Sequence, residues 1–268
     1  MGLNASALAL FRTVIAEAKP GDEAPILERL LRVGAMWRSK ILAASIIAQD
    51  GHRVQGGPFA GMDYVVDATE GALLPRLIGS YESELHPHIQ AFAEEGLDQL
   101  IDVGCAEGYY AVGLARLMPH LVVHAFDTDP AARASCATLA ARNGVADRVR
   151  IGEVFAGEHF ARFTDTRTLV FMDIEGGEKD LLDPEKWPAL RTLPIIVETH
   201  GGPTFALAEE ITHRFASSHD IIRVYQAGKT TPLPPFINSL GHLDQLIAVW
   251  EWRRFPTPWL VMRPKHAI

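Results

Sequence analysis

From Gln99 onward short apolar runs alternate with helical runs, and the first junction, Ile101-Asp-Val-Gly-Cys-Ala-Glu-Gly-Tyr-Tyr110, passes from strand to helix through a glycine-rich turn. This alternation constrains the chain more than any other feature. Successive parallel strands need long crossovers, and helices fill those crossovers and cover both faces of the sheet. The apolar runs predict strands near 99–103, 121–126, 148–152, 168–173, 194–199, 220–225 and 258–262. Helices are expected near 107–118, 130–143, 178–190, 205–217 and 241–253.

The residues before this pattern read differently. Ile26, Leu27, Leu30, Leu31, Gly34, Trp37, Ile41 and Leu42 recur at three- and four-residue steps and so share one helix face, which requires a partner surface. The segment His52-Arg-Val-Gln-Gly-Gly-Pro-Phe-Ala-Gly-Met62 is too heavily punctuated for regular structure, and a second helical stretch runs from about Ser80 to Glu95. The expected division is a helical extension over 1–95 and an α/β domain over 96–268. The extension caps the substrate side or forms a homodimer interface.

Composition limits the ligands. With 25 basic and 33 acidic side chains the 268-residue chain carries a formal charge of −8, which is the wrong sign for a phosphate-backbone binder, so no nucleic-acid partner is expected. Cys105 and Cys136 make no CxxC spacing and no disulfide framework, which fits a reducing, cytoplasmic setting. The longest apolar run, Ile41 to Ala48, falls far short of the ~20 residues of a spanning helix, and no basic start precedes an apolar leader. The expected partner is a small-molecule substrate, with no membrane involved.

In the turn, small residues let a ligand approach the backbone, and the exposed N–H groups of the following helix favour an electronegative ligand group. The second strand ends Val123-His-Ala-Phe-Asp127, which places a carboxylate at the strand tip where ribose hydroxyls are commonly held. The pair therefore reads as a site for a nucleoside cofactor. Gly104-x-Ala106-x-Gly108, with Asp102 two residues before the first glycine, is not the G-x-G-x-x-G of dinucleotide binders. It resembles the first motif of class I S-adenosylmethionine (SAM)-dependent methyltransferases, with Ala106 where the family has its middle glycine. The segment Leu169-Val-Phe-Met-Asp-Ile-Glu-Gly-Gly-Glu178, followed by Ile195-Ile-Val-Glu-Thr-His200, is similar to the FkbM-type subgroup.

The resemblance spans about residues 99 to 200. It implies a Rossmann-like sheet in the order 3-2-1-4-5-7-6, mostly parallel with an antiparallel last strand. It also implies that Asp102, Gly104, Cys105, Ala106 and Gly108 surround the methionine part of the cofactor and that Asp127 holds the ribose, with Tyr109 or Tyr110 and Asp173 bordering the same pocket. The expected reaction is O-methylation of a small or secondary metabolite, and a nitrogen acceptor stays open. The Asn/Asp-Pro-Pro-Tyr motif of enzymes that methylate nucleobase and amide nitrogens is replaced here by Asp173-Ile-Glu-Gly176.

Asp173 with Glu175, and Glu198 with His200, fall at the ends of two strands that are neighbours in that order, and residues two apart in a strand share a side. Three readings of this cluster stand. Asp173, Glu175, Glu198 and His200 hold a divalent ion such as Mg²⁺ or Mn²⁺ that lowers the pKa of an acceptor hydroxyl. Alternatively His200 is a general base oriented by a carboxylate such as Glu198. In the third, Glu175 and Glu178 merely cap a helix N-terminus. Asp173 is the first choice for a catalytic residue, because open α/β sheets bind ligands at the carboxyl ends of their strands.

Elsewhere, Tyr81 and Glu82 either close over the substrate or cap a helix. His86 and His88, two apart on a helix, do not share a face. Glu251, Trp252, Arg253, Arg254 and Trp259 surround the last strand, where Arg with Trp either binds an anionic or aromatic substrate or serves as aromatic packing with solvated charges. Two competing functions share the strand–glycine–helix–acid logic: a nicotinamide-dependent oxidoreductase and a SAM-binding module without turnover.

Overall fold

The computed structural model describes residues 2–65, 72–202, 204–229, 231–253 and 255–265. Arg254, named above among the substrate-binding candidates, lies outside them. Four helices come first: α1 (Leu3–Ala16), α2 (Glu23–Asp50), α3 (Leu73–Ile78) and α4 (His86–Glu95). The alternating half follows as β1 (Gln99–Val103), α5 (Tyr109–Leu117), β2 (Val122–Phe126), α6 (Pro130–Arg142), β3 (Val149–Gly152), β4 (Thr168–Met172), α7 (Glu178–Leu181), β5 (Ile195–Glu198), α8 (Ala206–Phe215), β6 (His219–Val224), α9 (Pro235–Asn238), α10 (His242–Ala248) and β7 (Trp259–Pro264).

The seven strands form one sheet in the order β3-β2-β1-β4-β5-β7-β6. The first five pair in parallel, and β7 runs antiparallel to both β5 and β6. This is the α/β sheet expected from the strand–helix alternation, in the order that the resemblance implied. Every expected strand is present within one or two residues at its ends.

Residue parity along the strands decides what each face meets. Leu100, Leu169, Phe171, Ile196, Trp259 and Val261 enter one apolar cluster, whereas Ile101, Val103, Val170, Met172, Ile195 and Val197 enter another. The first cluster also contains Leu42, Ile46, Leu74, Leu77, Ile89 and Phe92 from the helical extension, so extension and sheet bury their apolar faces in one continuous core. Asp102 follows Leu100 by two residues and Glu198 follows Ile196 by two. Both carboxylates therefore belong to the face that the extension covers.

The apolar stripe on α2 is used only in part. Ser39, Leu42, Ala43 and Ile46 are buried, whereas Leu31 is 73 % exposed. The expected helix over 80–95 is shorter, beginning at His86, and α3 precedes it. The expected helix over 178–190 is only α7 followed by a 3-10 turn at Pro188–Thr192, because Asp183-Pro184 cannot continue it. The expected helix over 241–253 ends at Ala248, and the chain beyond it turns Arg253 inward. Among the described residues no helix is long and apolar enough to cross a membrane.

Candidate active site

The cleft opens where β1, β4 and β5 end. Gly104 begins the turn at φ +86°, and a Cβ there would lie 1.7 Å from the carbonyl oxygen of Asp173. The missing side chain thus makes room for the neighbouring loop, where sequence reasoning reserved the space for a ligand. Gly108 is similar: Cys136 of α6 sits behind it, with Sγ 2.8 Å from the position of a Cβ. Ala106 adopts φ +46°, the left-handed region a middle glycine would occupy without strain.

Asp102 is 2 % exposed, and its Oδ2 accepts no hydrogen bond. Burial, then the charges of Asp127 and Glu107, push its carboxyl up to about 7. Asp127 uses both carboxylate oxygens on backbone amides, Oδ2 accepting from Ala106 N at 2.9 Å and Oδ1 from Asp129 N at 2.8 Å. It fixes the turn, and each oxygen keeps a second lone pair. The Cys105 thiol is held well above its usual range by its hydrogen bond with Cys136 and by burial, so it is no nucleophile. Tyr109 is buried at the centre of edge-on contacts with Phe59, Tyr64, Tyr81 and Tyr110. Next to the turn lies a small cavity of about 20 Å³, bordered by Arg76, Tyr81, Asp102, Ala106, Glu107 and Asp173.

Asp173, Glu175, Glu198 and His200 lie close together, Glu198 at the end of β5 and the other three in loops. β4 ends at Met172 and β5 at Glu198, so Asp173, Glu175 and His200 all project from the connections beyond. His200 organises them. Its Nδ1 is 2.6 Å from Glu178 Oε1, while Nε2 is 3.6 Å from Asp173 Oδ1, 3.6 Å from Glu175 Oε2 and 3.5 Å from Glu198 Oε2. Burial pulls the imidazole pKa down, but hydrogen bonds to Glu178 and Glu198 and the charges of Glu198 and Asp173 override it and raise the value to about 11. The ring is therefore a cation at neutral pH and has no lone pair with which to act as a base.

Asp173, Glu175 and His200 can each offer a ligand atom within 4.8 Å of the others. Glu198 stands apart from this trio: its Oε1 accepts from Arg253 Nη1 and from Thr257 Oγ1. Glu178, read above as a helix cap, is buried and bonded to His200, so capping by solvated acids does not describe it. Glu175 does stay exposed, with its backbone at φ +55°.

Beside the cluster lies a larger cavity of about 440 Å³, lined by Tyr81, Glu175, Glu198, His200, Trp252 and Arg253 among others. Sequence reasoning weighed Glu82 as a helix cap, yet it is fully buried and accepts from Arg253 and from Tyr110. Arg253, for which the sequence left substrate binding or a solvated charge open, is no solvated charge: it joins Glu82, Glu198 and Glu251 across the cavity wall. Arg76 and Glu107 were missed altogether. Their signal is a lone charge inside an apolar run, Leu-Leu-Pro-Arg-Leu-Ile for the first and the glycine turn itself for the second. Among the described residues, four that are not glycine have positive φ: Glu82, Ala106, Glu175 and Trp252. All four border the two cavities or bond directly to their walls, and strained backbone of this kind collects at functional sites.

No protein-family model matches the chain, and no curated protein matches it in sequence. Solved structures do resemble it. An O-methyltransferase from Bacillus cereus in complex with SAH shares 10 % identity at a TM-score of 0.44, over 87 % of this chain and 91 % of that one. The O-methyltransferase TomG from Streptomyces achromogenes, involved in tomaymycin synthesis, shares 13 % at 0.42, over 85 % and 89 %. A precorrin-6y C5,15-methyltransferase from Geobacter metallireducens shares 12 % at 0.41, over 66 % and 87 %. All three scores lie below 0.5, so the fold description rests on the strand order itself.

Proposed function

We propose that the chain is a SAM-dependent methyltransferase that acts on an oxygen of a small molecule, with a divalent cation held beside the acceptor. The observation that carries this reading is the double role of Asp173. Its carbonyl packs against Gly104 and its carboxylate faces His200 Nε2, so the glycine turn and the acidic cluster form one contiguous site.

The residues at the turn suit the cofactor. The orphaned, buried Oδ2 of Asp102 is an acceptor in need of a donor, which an ammonium group provides. Asp127 stands at the tip of β2 with lone pairs for ribose hydroxyls. When bound, the cofactor supplies a methyl group already activated by its sulfonium, so the protein has to position an oxygen in line with it and keep that oxygen deprotonated.

Asp173, Glu175 and His200 would hold the cation, which would lower the pKa of an acceptor hydroxyl. Glu178 fixes the ring by accepting from Nδ1–H, leaving Nε2 aimed at the carboxylates, the arrangement in which histidines commonly ligate metals. Nε2 lies 3.6 Å from the nearest oxygens of Asp173 and Glu175, and the ligand atoms of all three residues lie within 4.8 Å of one another, a spacing that one ion can bridge. The cation reading is favoured over a free imidazole base because the ring is otherwise protonated. Glu198, pinned by Arg253 and Thr257, is placed to orient the acceptor rather than to ligate.

Calorimetric titration of S-adenosylhomocysteine, once in chelator and once with Mn²⁺, tests both levels. Binding in the micromolar range supports the cofactor assignment, and heat from Mn²⁺ that disappears in His200→Ala supports the cation. Absence of S-adenosylhomocysteine binding under both conditions would remove the methyltransferase reading.

A further inference from the structure

A groove of about 740 Å³ runs between α1, α2 and α10, and it shares no lining residue with either cavity of the candidate active site. Leu8, Phe11, Leu30, Leu31, Leu243 and Ile247 form its apolar walls. Its polar side chains are already matched to one another. Arg38 donates to both carboxylate oxygens of Asp244 at 2.7 and 2.6 Å, and Trp37 Nε1 donates to Asn4 Oδ1 at 2.9 Å. A metabolite site needs a few polar groups aimed at its ligand, and this groove presents hydrocarbon instead.

The helices around the groove are short of cover. α1 has ten apolar residues among fourteen and a single charge, Arg12, yet Val14 is its only buried residue. A helix apolar on all sides belongs in an interior, and an uncovered one of this length is marginal in water. Among the described residues fourteen large apolar side chains are strongly exposed, and eight of them belong to these three helices. They follow helical spacing: Leu27 and Leu31 are four apart on α2, Leu243 and Leu246 three apart on α10, and Leu8 and Ile15 seven apart on α1. The face therefore sets ridges beside a groove, the two shapes that interlock when helices pack.

Charge decides what covers it. Residues 3–50 and 242–248, which contain the three helices, carry six basic and six acidic side chains, although the whole chain stands at −8. An anionic membrane attracts helices with a basic polar face, and a neutral face feels no such pull. A two-fold contact brings a surface against itself, so any net charge on it meets its like. The neutral face is where two copies of an acidic chain can meet without repulsion. We infer that α1, α2 and α10 form the interface of a homodimer, in which the leucine ridge beside the groove of one copy seats in the groove of its partner.

Sedimentation velocity on the full-length protein tests this. A mass near twice 29.4 kDa is expected at micromolar concentration. Leu31→Glu and Leu243→Glu, at positions 73 % and 70 % exposed in the single copy, lie on different helices and line neither active-site cavity. Each is expected to raise the dimer dissociation constant about 30-fold or more, with circular dichroism showing that the variant is folded. Ile222→Glu on β6, at a position 52 % exposed but outside the face, is expected to leave the assembly unchanged. A single-copy mass for the unmodified protein at about 100 μM, with or without sedimentation alongside phosphatidylglycerol vesicles, overturns the inference. So does a dimer that both leucine variants leave intact, or one that Ile222→Glu disrupts equally. The inference stands apart from the methyltransferase reading, since none of these outcomes depends on a bound cofactor.

Discussion

Asp102 and Glu82 are buried acids whose native pKa values, about 7 and about 8, lie far above their unfolded ones. The native state therefore keeps protons that the unfolded chain releases. Their contribution is complete below the unfolded values near pH 4 and disappears as pH rises through 7 and 8. Between pH 6.5 and 8.5 the two should together remove on the order of 2–3 kcal/mol of stability, and His200, also raised, acts in the same direction. Urea unfolding at both pH values checks this, and Asp102→Asn should flatten the dependence by about 1 kcal/mol. A flat profile in the unmodified protein would mean that neither acid is held protonated. At the proposed cation site, Glu178→Gln should weaken Mn²⁺ affinity about 10- to 100-fold, measurable by calorimetry without any turnover. Asp102, Asp173 and His200 were legible because strand tips and a glycine turn mark them. Glu82 and Arg253 were not, because pairing across 171 positions leaves no local trace.

At the scale of elements, the β1 turn and the loop after β4 act as one piece. Gly104→Ala combines a positive φ with a Cβ 1.7 Å from the Asp173 carbonyl, and is expected to cost more than about 3 kcal/mol. Ala106→Gly relieves roughly 1–2 kcal/mol of left-handed strain against about 0.5–1 kcal/mol of added unfolded-chain freedom. It should be neutral or slightly stabilising, and a shift in thermal midpoint for each variant separates the two cases. The strands were legible in full because each is a short apolar run bounded by turn residues. Helices were overextended where an interior demand outweighed periodicity: α10 stops at Ala248 so that Glu251 and Arg253 can enter the cavity wall, and Trp252 accepts φ +65° between them.

Across the molecule, buried ion pairs join the extension to the sheet half. Arg253 meets Glu82 and Glu198, Lys229 meets Glu84 and Glu251, and Arg76 approaches Glu107. Removing one partner strands the others in a medium of low polarity, so Arg253→Met is predicted to destabilise by about 3–5 kcal/mol, read by chemical denaturation. A loss below about 1 kcal/mol would show that the wall carboxylates are neutralised some other way. The helical character of the first third was legible, but its attachment through charge was not, since hydrophobic periodicity reports only apolar faces. That attachment bears on how such a chain can be recombined. The extension is a contiguous first third of the chain and so invites exchange as a block, yet a graft that replaces it leaves Glu107, Lys229, Glu251 and Arg253 facing strangers. A working chimera has to import Arg76, Glu82 and Glu84 as a set, because each meets a charge of the sheet half that the graft would otherwise strand.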